Sequence, residues 1–111
     1  GVIIEEGAEI HDSIIMSNSV VGKNSKTTKS IIAEDVRIGE NVELGVGEEA
    51  ENVKLPKIYN SGLVTIGECT VIPDNVKVGK NTAISGETTS DDYPDGLLPS
   101  GGIIIKAGDN V

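Results

Sequence analysis

The chain has 111 residues, eighteen acidic and nine basic, for a net charge of −9. That length fits one domain, and an acidic balance without any basic cluster argues against nucleic acid or an anionic membrane as partner. No apolar run approaches the roughly 20 residues of a membrane span, and no signal-peptide pattern is present; the lone Cys69 forms no internal disulfide and suits a reducing cytoplasm. Along the chain, residues 1–45 carry aliphatic or small residues in steps of six, six and five: Ile4, Ile10, Met16, then Val21, Thr27, Ala33, then Ile38 and Leu44. Ile4-Glu5-Glu6-Gly7-Ala8 aligns with Val21-Gly22-Lys23-Asn24-Ser25 and with Ile38-Gly39-Glu40-Asn41-Val42, 17 residues apart, and Ile14-Ile15 aligns with Ile31-Ile32. Residues 46–63, VGEEAENVKLPKIYNSGL, hold acidic residues, Pro56 and Gly62 and lose the period, as an inserted loop does. The period resumes over residues 64–86 at Ile66, Ile72, Val78 and Ile84. In residues 87–111, the turn-rich ETTSDDYPDGLLPS precedes a short final strand, Ile103-Ile104-Ile105, expected to cap the open end.

A six-residue repeat has room for one short strand and one tight corner, not for a helix. With an aliphatic residue first, often Gly second and a small or branched residue fifth, it is the hexapeptide β-helix signature, here present about ten times in register. Three repeats make one triangular coil, and coils stack at the strand spacing of roughly 4.8 Å. The expected fold is all-β: a single-stranded parallel β-helix of about four coils with one inserted loop. Inward pairs are expected at Ala8/Ile10, Ile14/Met16, Ser19/Val21, Ser25/Thr27, Ile31/Ala33, Val36/Ile38, Val42/Leu44, Val64/Ile66, Thr70/Ile72, Val76/Val78 and Thr82/Ile84. Gly22, Gly39, Gly67 and Gly79, with Asn24, Asn41, Asn75 and Asn81, suit corners of unusual backbone angle. That register turns Ile15 and Ile32 outward as one stacked aliphatic pair and Ile3 and Val20 as another. Together with the edge strand Ile103, Ile104 and Ile105 they are the candidate interface.

Parallel β-helices serve as acyltransferases, as carbonic anhydrases or as passive spacers. The acyltransferases need a His base, and the anhydrases need three His for zinc. This chain has one His, His11, at a corner beside Asp12. No GxGxxG and no GxxxxGK[ST] is present. Asp91, Asp92 and Asp95 are a carboxylate group in a turn, either solvated or open to a divalent cation. No nucleophile–base constellation stands out. The expected catalytic, cofactor and metal residues are therefore none.

The wording of GAEIHDSIIM, SIIAEDVRIGENVELGVG, PKIYNSGLVTIGECTVIPDNVKVGKN and LPSGGIIIK closely resembles the C-terminal region of bacterial glucose-1-phosphate adenylyltransferase, from Val2 to about Lys106. The resemblance implies a left-handed solenoid, an exception to the right-handed crossover rule. It also implies an N-terminal catalytic domain joined to this one, a cytoplasmic tetramer or a hetero-oligomer with a related subunit, and a reaction of ATP with glucose 1-phosphate on magnesium. The products are pyrophosphate and ADP-glucose, the glucosyl donor for glycogen. The solenoid of such enzymes takes part in assembly and borders clefts for small anionic effectors. No catalytic residue of the family maps onto these positions, so the chain reads as an inactive domain of a longer enzyme. Basic residues that relatives place before the last strand are missing, so either the regulation differs or the cation for an effector comes from elsewhere, for example Lys77, Lys80 or Lys106. The alternatives are a stand-alone hexapeptide acyltransferase and the β-helix domain of another sugar nucleotidyltransferase.

Overall fold

Each repeat forms a strand of two to four residues that ends at a corner. In the computed structural model, which describes residues 1–48, 50–53, 57 and 61–106, strands β1 (Ile3–Ile4), β2 (Glu9–His11) and β3 (Ile14–Ile15) make the first coil. The second coil is β4 (Val20–Val21), β5 (Lys26–Thr28) and β6 (Ser30–Ile32); the third is β7 (Arg37–Ile38), β8 (Glu43–Val46) and β9 (Val64–Ile66). The fourth is β10 (Val71–Ile72), β11 (Lys77–Gly79) and β12 (Thr82–Ser85). Through β12 every third strand pairs in parallel, and β13 (Leu97–Leu98) and β14 (Ile103–Ile105) extend two of the sheets, giving β1-β4-β7-β10, β2-β5-β8-β11-β13 and β3-β6-β9-β12-β14. We call these the first, second and third faces.

The all-β parallel solenoid of hexapeptide repeats is as expected. It has about five turns, one more than the repeat period counts. Glu87 bridges to Val71, β13 (Leu97–Leu98) pairs with β11, and β14 (Ile103–Ile105) pairs with β12, so the chain after residue 86 adds a strand or bridge to every face. Between the first and second faces of this turn the chain makes an excursion through a 3-10 turn at Ser90–Asp92 and a second turn at Pro94–Gly96. Pro56, Ile58, Tyr59 and Asn60 of the insertion and residues 107–111 lie outside the described residues.

Inside, Val21, Ile38 and Ile72 stack on the first face, Leu44 and Val78 on the second, and Ile32, Ile66 and Ile84 on the third. The register differs from expectation on the third face of the first two coils. Ile15 pairs with Ile32, and Ile32 with Ile66; Ile32 is fully buried and Ile15 packs against the core. Ile14 and Met16 are exposed instead, at 60% and 42%. The five-residue step therefore falls before the third face, from Ile10 to Ile15 and from Thr27 to Ile32, and not after it. Two adjacent isoleucines satisfy either phase; the corner hydroxyl decides. Ser13 Oγ donates to the His11 carbonyl (2.8 Å) and accepts from the Ser30 amide one coil on (3.1 Å). Ser19 and Ser25 do the same with Ala33 and Val36, and with Gly39 and Val42. A buried hydroxyl so satisfied costs little, and it fixes the inward residue two positions later.

Corners adopt the left-handed conformation that Asn tolerates. Asn24, Asn41 and Asn75 have φ of 59°, 56° and 62° and stack in one column. Each donates its amide to the coil before: to Glu6, Lys23 and Glu40 at 2.9–3.1 Å. Outside, Glu9, Lys26, Glu43 and Lys77 alternate in sign along the second face, with contacts of 3.9 Å for Glu9–Lys26 and Glu43–Lys77. At this exposure such pairs are screened and minor.

Candidate functional site

The insertion leaves the solenoid between β8 and β9, where the third coil would otherwise turn from its second to its third face. A cleft of about 140 Å³ opens there, lined by Thr28 and Lys29 from the coil before, Gly45 of β8, Gly62 of the returning limb and Lys80 from the coil after. Lys29 holds φ at 47°, unusual for a long side chain. Its amide and carbonyl are tied to His11 and Val64 at 3.0 Å, which keeps the strained corner in place. Lys80 is fixed through its amide to Ser100 Oγ (2.9 Å) and through its carbonyl to the Gly101 amide (2.8 Å). Gly45 has φ of 86°, and a Cβ there would collide with the Thr28 carbonyl oxygen, so the floor of the cleft requires glycine. Among the described residues neither Lys29 nor Lys80 makes an ion pair. The lining includes two lysines and a threonine, residue types that suit a small oxyanion.

The other expected positions are spread over the molecule. Of the three lysines singled out for an effector, Lys77 contacts Glu43 and Lys106 grips Asp92 with both carboxylate oxygens (2.8 and 3.0 Å); Lys80 alone lies in the cleft. The Lys106 bond, helped by the Thr89 amide, lowers the Asp92 carboxyl below its usual range. Asp92 is thereby committed to a latch between the 88–96 excursion and the end of β14. His11 is exposed, with Nε2 3.1 Å from Glu9 Oε1, and this bond is the main cause of the lowered Glu9 pKa. Among the described residues no group of three His, Cys, Asp or Glu is placed to hold a metal. Cys69 is exposed at a corner with φ of 60°.

Of the candidate interface residues, Ile3 and Ile105 are exposed and Val20, Ile103 and Ile104 are half-buried, Ile104 against the core. Ile15 and Ile32 face inward and drop out as a surface, for the register reason given above. In their place the third face carries Ile14, Ile31, Thr65, Ala83 and Ile103 in one column without a charged residue, Ile14 exposed, Ile31, Thr65 and Ile103 half-buried and Ala83 buried. The sequence reading missed Lys29, whose one signal was a lysine at a corner place that other coils give to Asn or Asp.

Fold and hydroxyl-closed corners define a hexapeptide-repeat β-solenoid domain. The profile of the family described as GlmU-like, C-terminal hexapeptide, matches residues 1–66, and the chain belongs to that family. Glucose-1-phosphate adenylyltransferase of Lachnospira eligens is 86% identical over 66 residues, covering 60% of this chain and 16% of that protein. The enzyme of the same name from Acetivibrio thermocellus is 42% identical over 109 residues, 98% of this chain and 26% of its own length. Bifunctional protein GlmU of Caldicellulosiruptor saccharolyticus is 31% identical over 102 residues, 86% of this chain and 22% of that one. The chain thus spans about a quarter or less of the relatives it matches. No solved structure matches it significantly. No helix among the described residues is long and apolar enough to cross a membrane.

Proposed function

We propose that this chain is the assembly and regulatory domain of a cytoplasmic glucose-1-phosphate adenylyltransferase, the enzyme that makes ADP-glucose and pyrophosphate from ATP and glucose 1-phosphate. The observation that carries the reading is the 42% identity to one such enzyme across 98% of this chain. In this reading magnesium, ATP and the sugar phosphate belong to the N-terminal catalytic domain, and the 111 residues hold no catalytic group. Purified protein given ATP, glucose 1-phosphate and magnesium is expected to release no pyrophosphate above buffer. Turnover comparable to a complete enzyme would sink the proposal.

Regulation is assigned to the Lys29/Lys80 cleft, where a small anionic effector would be held. Assembly into a homo-tetramer, or with a related subunit, is assigned to the charge-free third face. A net charge of −9 opposes indiscriminate clumping, and an uncharged face lets two copies meet without apposing like charges. Light scattering at tens of micromolar is expected to show a discrete oligomer that Ile14→Glu/Met16→Glu dissociates. A strictly monomeric wild type would refute self-association of the domain. An oligomer indifferent to the double substitution would move the contact to Val2, Ile3 and Ile4 of the first coil or to Ile105.

A further inference from the structure

Asn81 occupies the corner between the second and third faces of the fourth coil, next to Lys80. It is 5% exposed with φ of 57°. Its side chain touches both limbs of the insertion at once. Oδ1 accepts the Gly62 amide of the returning limb at 2.8 Å, and Nδ2 donates to the Ala50 carbonyl of the outgoing limb at 3.0 Å. Its main-chain carbonyl accepts a third bond, from Nδ2 of the buried Asn52 at 2.8 Å. The partners fix which end of the amide is which, since Gly62 offers only a donor and Ala50 only an acceptor. One coil on, the Gly101 carbonyl accepts from the Val53 amide at 2.9 Å. The outgoing limb is therefore tied to the corners of two successive coils.

We infer that Asn81 is a positioning residue for the lysine cleft: it brackets the base of the insertion and so sets the place of Gly62 between Lys29 and Lys80. Gly62 is a lining residue, and the bond that holds it comes from the residue after Lys80. One amide thus couples the wall of the cleft to one of its two cations. Holding the ends of an insertion costs closure entropy, and the two Asn81 bonds offset part of that cost. The inference rests on the assignment of the cleft to a small oxyanion.

The test is Asn81→Gly, which keeps the positive φ at no steric cost while deleting both side-chain bonds. Amide hydrogen exchange is read at Gly62, Val21 and Val78, and orthophosphate is titrated against the Lys29 and Lys80 side-chain signals. Gly62 is expected to exchange about tenfold faster with Val21 and Val78 unchanged, and orthophosphate to bind about fivefold more weakly. Asn52→Ala, which removes the third bond and leaves both Asn81 side-chain bonds in place, is expected to leave Gly62 protected. Unchanged Gly62 protection in Asn81→Gly overturns the bracket, as does acceleration of Gly62 in step with Val21 and Val78. Unchanged phosphate affinity beside a loosened Gly62 overturns the positioning role. A wild type that binds no orthophosphate overturns the anion assignment itself, while the exchange result still decides the bracket.

Discussion

Ile38→Asp is expected to abolish folding, whereas Arg37→Asp, one residue away, is expected to change stability by no more than roughly 1 kcal/mol. Ile38 is 3% exposed and stands in register between Val21 of the coil before and Ile72 of the coil after, both buried. A carboxylate there meets apolar neighbours above and below and has no cation within the prism. Burying it unpaired costs several kcal/mol, a large part of the roughly 5–15 kcal/mol that holds a domain together. Protonation would spare the charge but still leave a polar group where a branched aliphatic packed. Arg37 points outward, is exposed and makes no ion pair among the described residues. Thermal melts followed by circular dichroism would compare the two. Equal melting curves would show that the inward and outward assignments on the first face are exchanged.

That first face was legible in the sequence because its pattern admits one phase. Arg37-Ile38 sets a cation beside an isoleucine, only the isoleucine can fill the core, and the 17-residue spacing carries that phase to the doublet Val20-Val21. The third face was not, because Ile14-Ile15 and Ile31-Ile32 are each two consecutive isoleucines and alternation cannot choose between them. The choice is made at the corner before, where the Ser13 hydroxyl accepts the Ser30 amide of the adjacent coil and the Ser30 hydroxyl closes its own corner on the Thr28 carbonyl. The fifth turn was hidden for a different reason. Its strands are separated by the 88–96 excursion, so the six-residue period is absent although the ladder hydrogen bonds continue. The lysine cleft was half legible: Lys80 was among the lysines singled out, but Lys29 stands far from it in sequence. Both line the cleft that opens where the insertion replaces the corner of the coil between them. Asn81 suits its corner on backbone grounds, and its side chain does a second task that no period encodes.

Tyr93 is the residue on which the last turn depends, and Tyr93→Ala is expected to cost about 3 kcal/mol or more. Among the described residues it is the largest fully buried side chain, 2% exposed, and it belongs to the core cluster that includes Leu98 and packs against Ile104. The 88–96 excursion carries it inward, and the Asp92–Lys106 latch one residue earlier holds that excursion against the end of β14. Its hydroxyl is 2.8 Å from Thr88 Oγ1, which itself donates to the Val71 carbonyl at 2.6 Å. Thr88 has one proton and spends it on Val71, so the phenol must donate to Thr88. Ionising Tyr93 would remove that bond and place a charge in the core. Burial accordingly pushes its pKa from 10 up to about 12, and the Asp92 carboxylate adds to the rise; the Thr88 hydroxyl offsets part of it, because it can turn from Val71 to donate to the phenolate. A phenol that holds its proton more tightly when folded contributes stability that is complete below pH 10. That stability is lost as the pH climbs through 10 to about 12, because the unfolded chain releases the proton first. The loss is on the order of 2 kcal/mol. Tyr93→Phe keeps the ring, leaves Thr88 bonded to Val71 and removes the titration. Urea denaturation at pH 8 and at pH 11.5 is therefore expected to show wild type and Tyr93→Phe drawing together at the higher pH, since every other alkaline titration is common to both. A constant gap between them across that range would mean that the phenol is not sealed in the core and that the last turn is closed by something other than Tyr93.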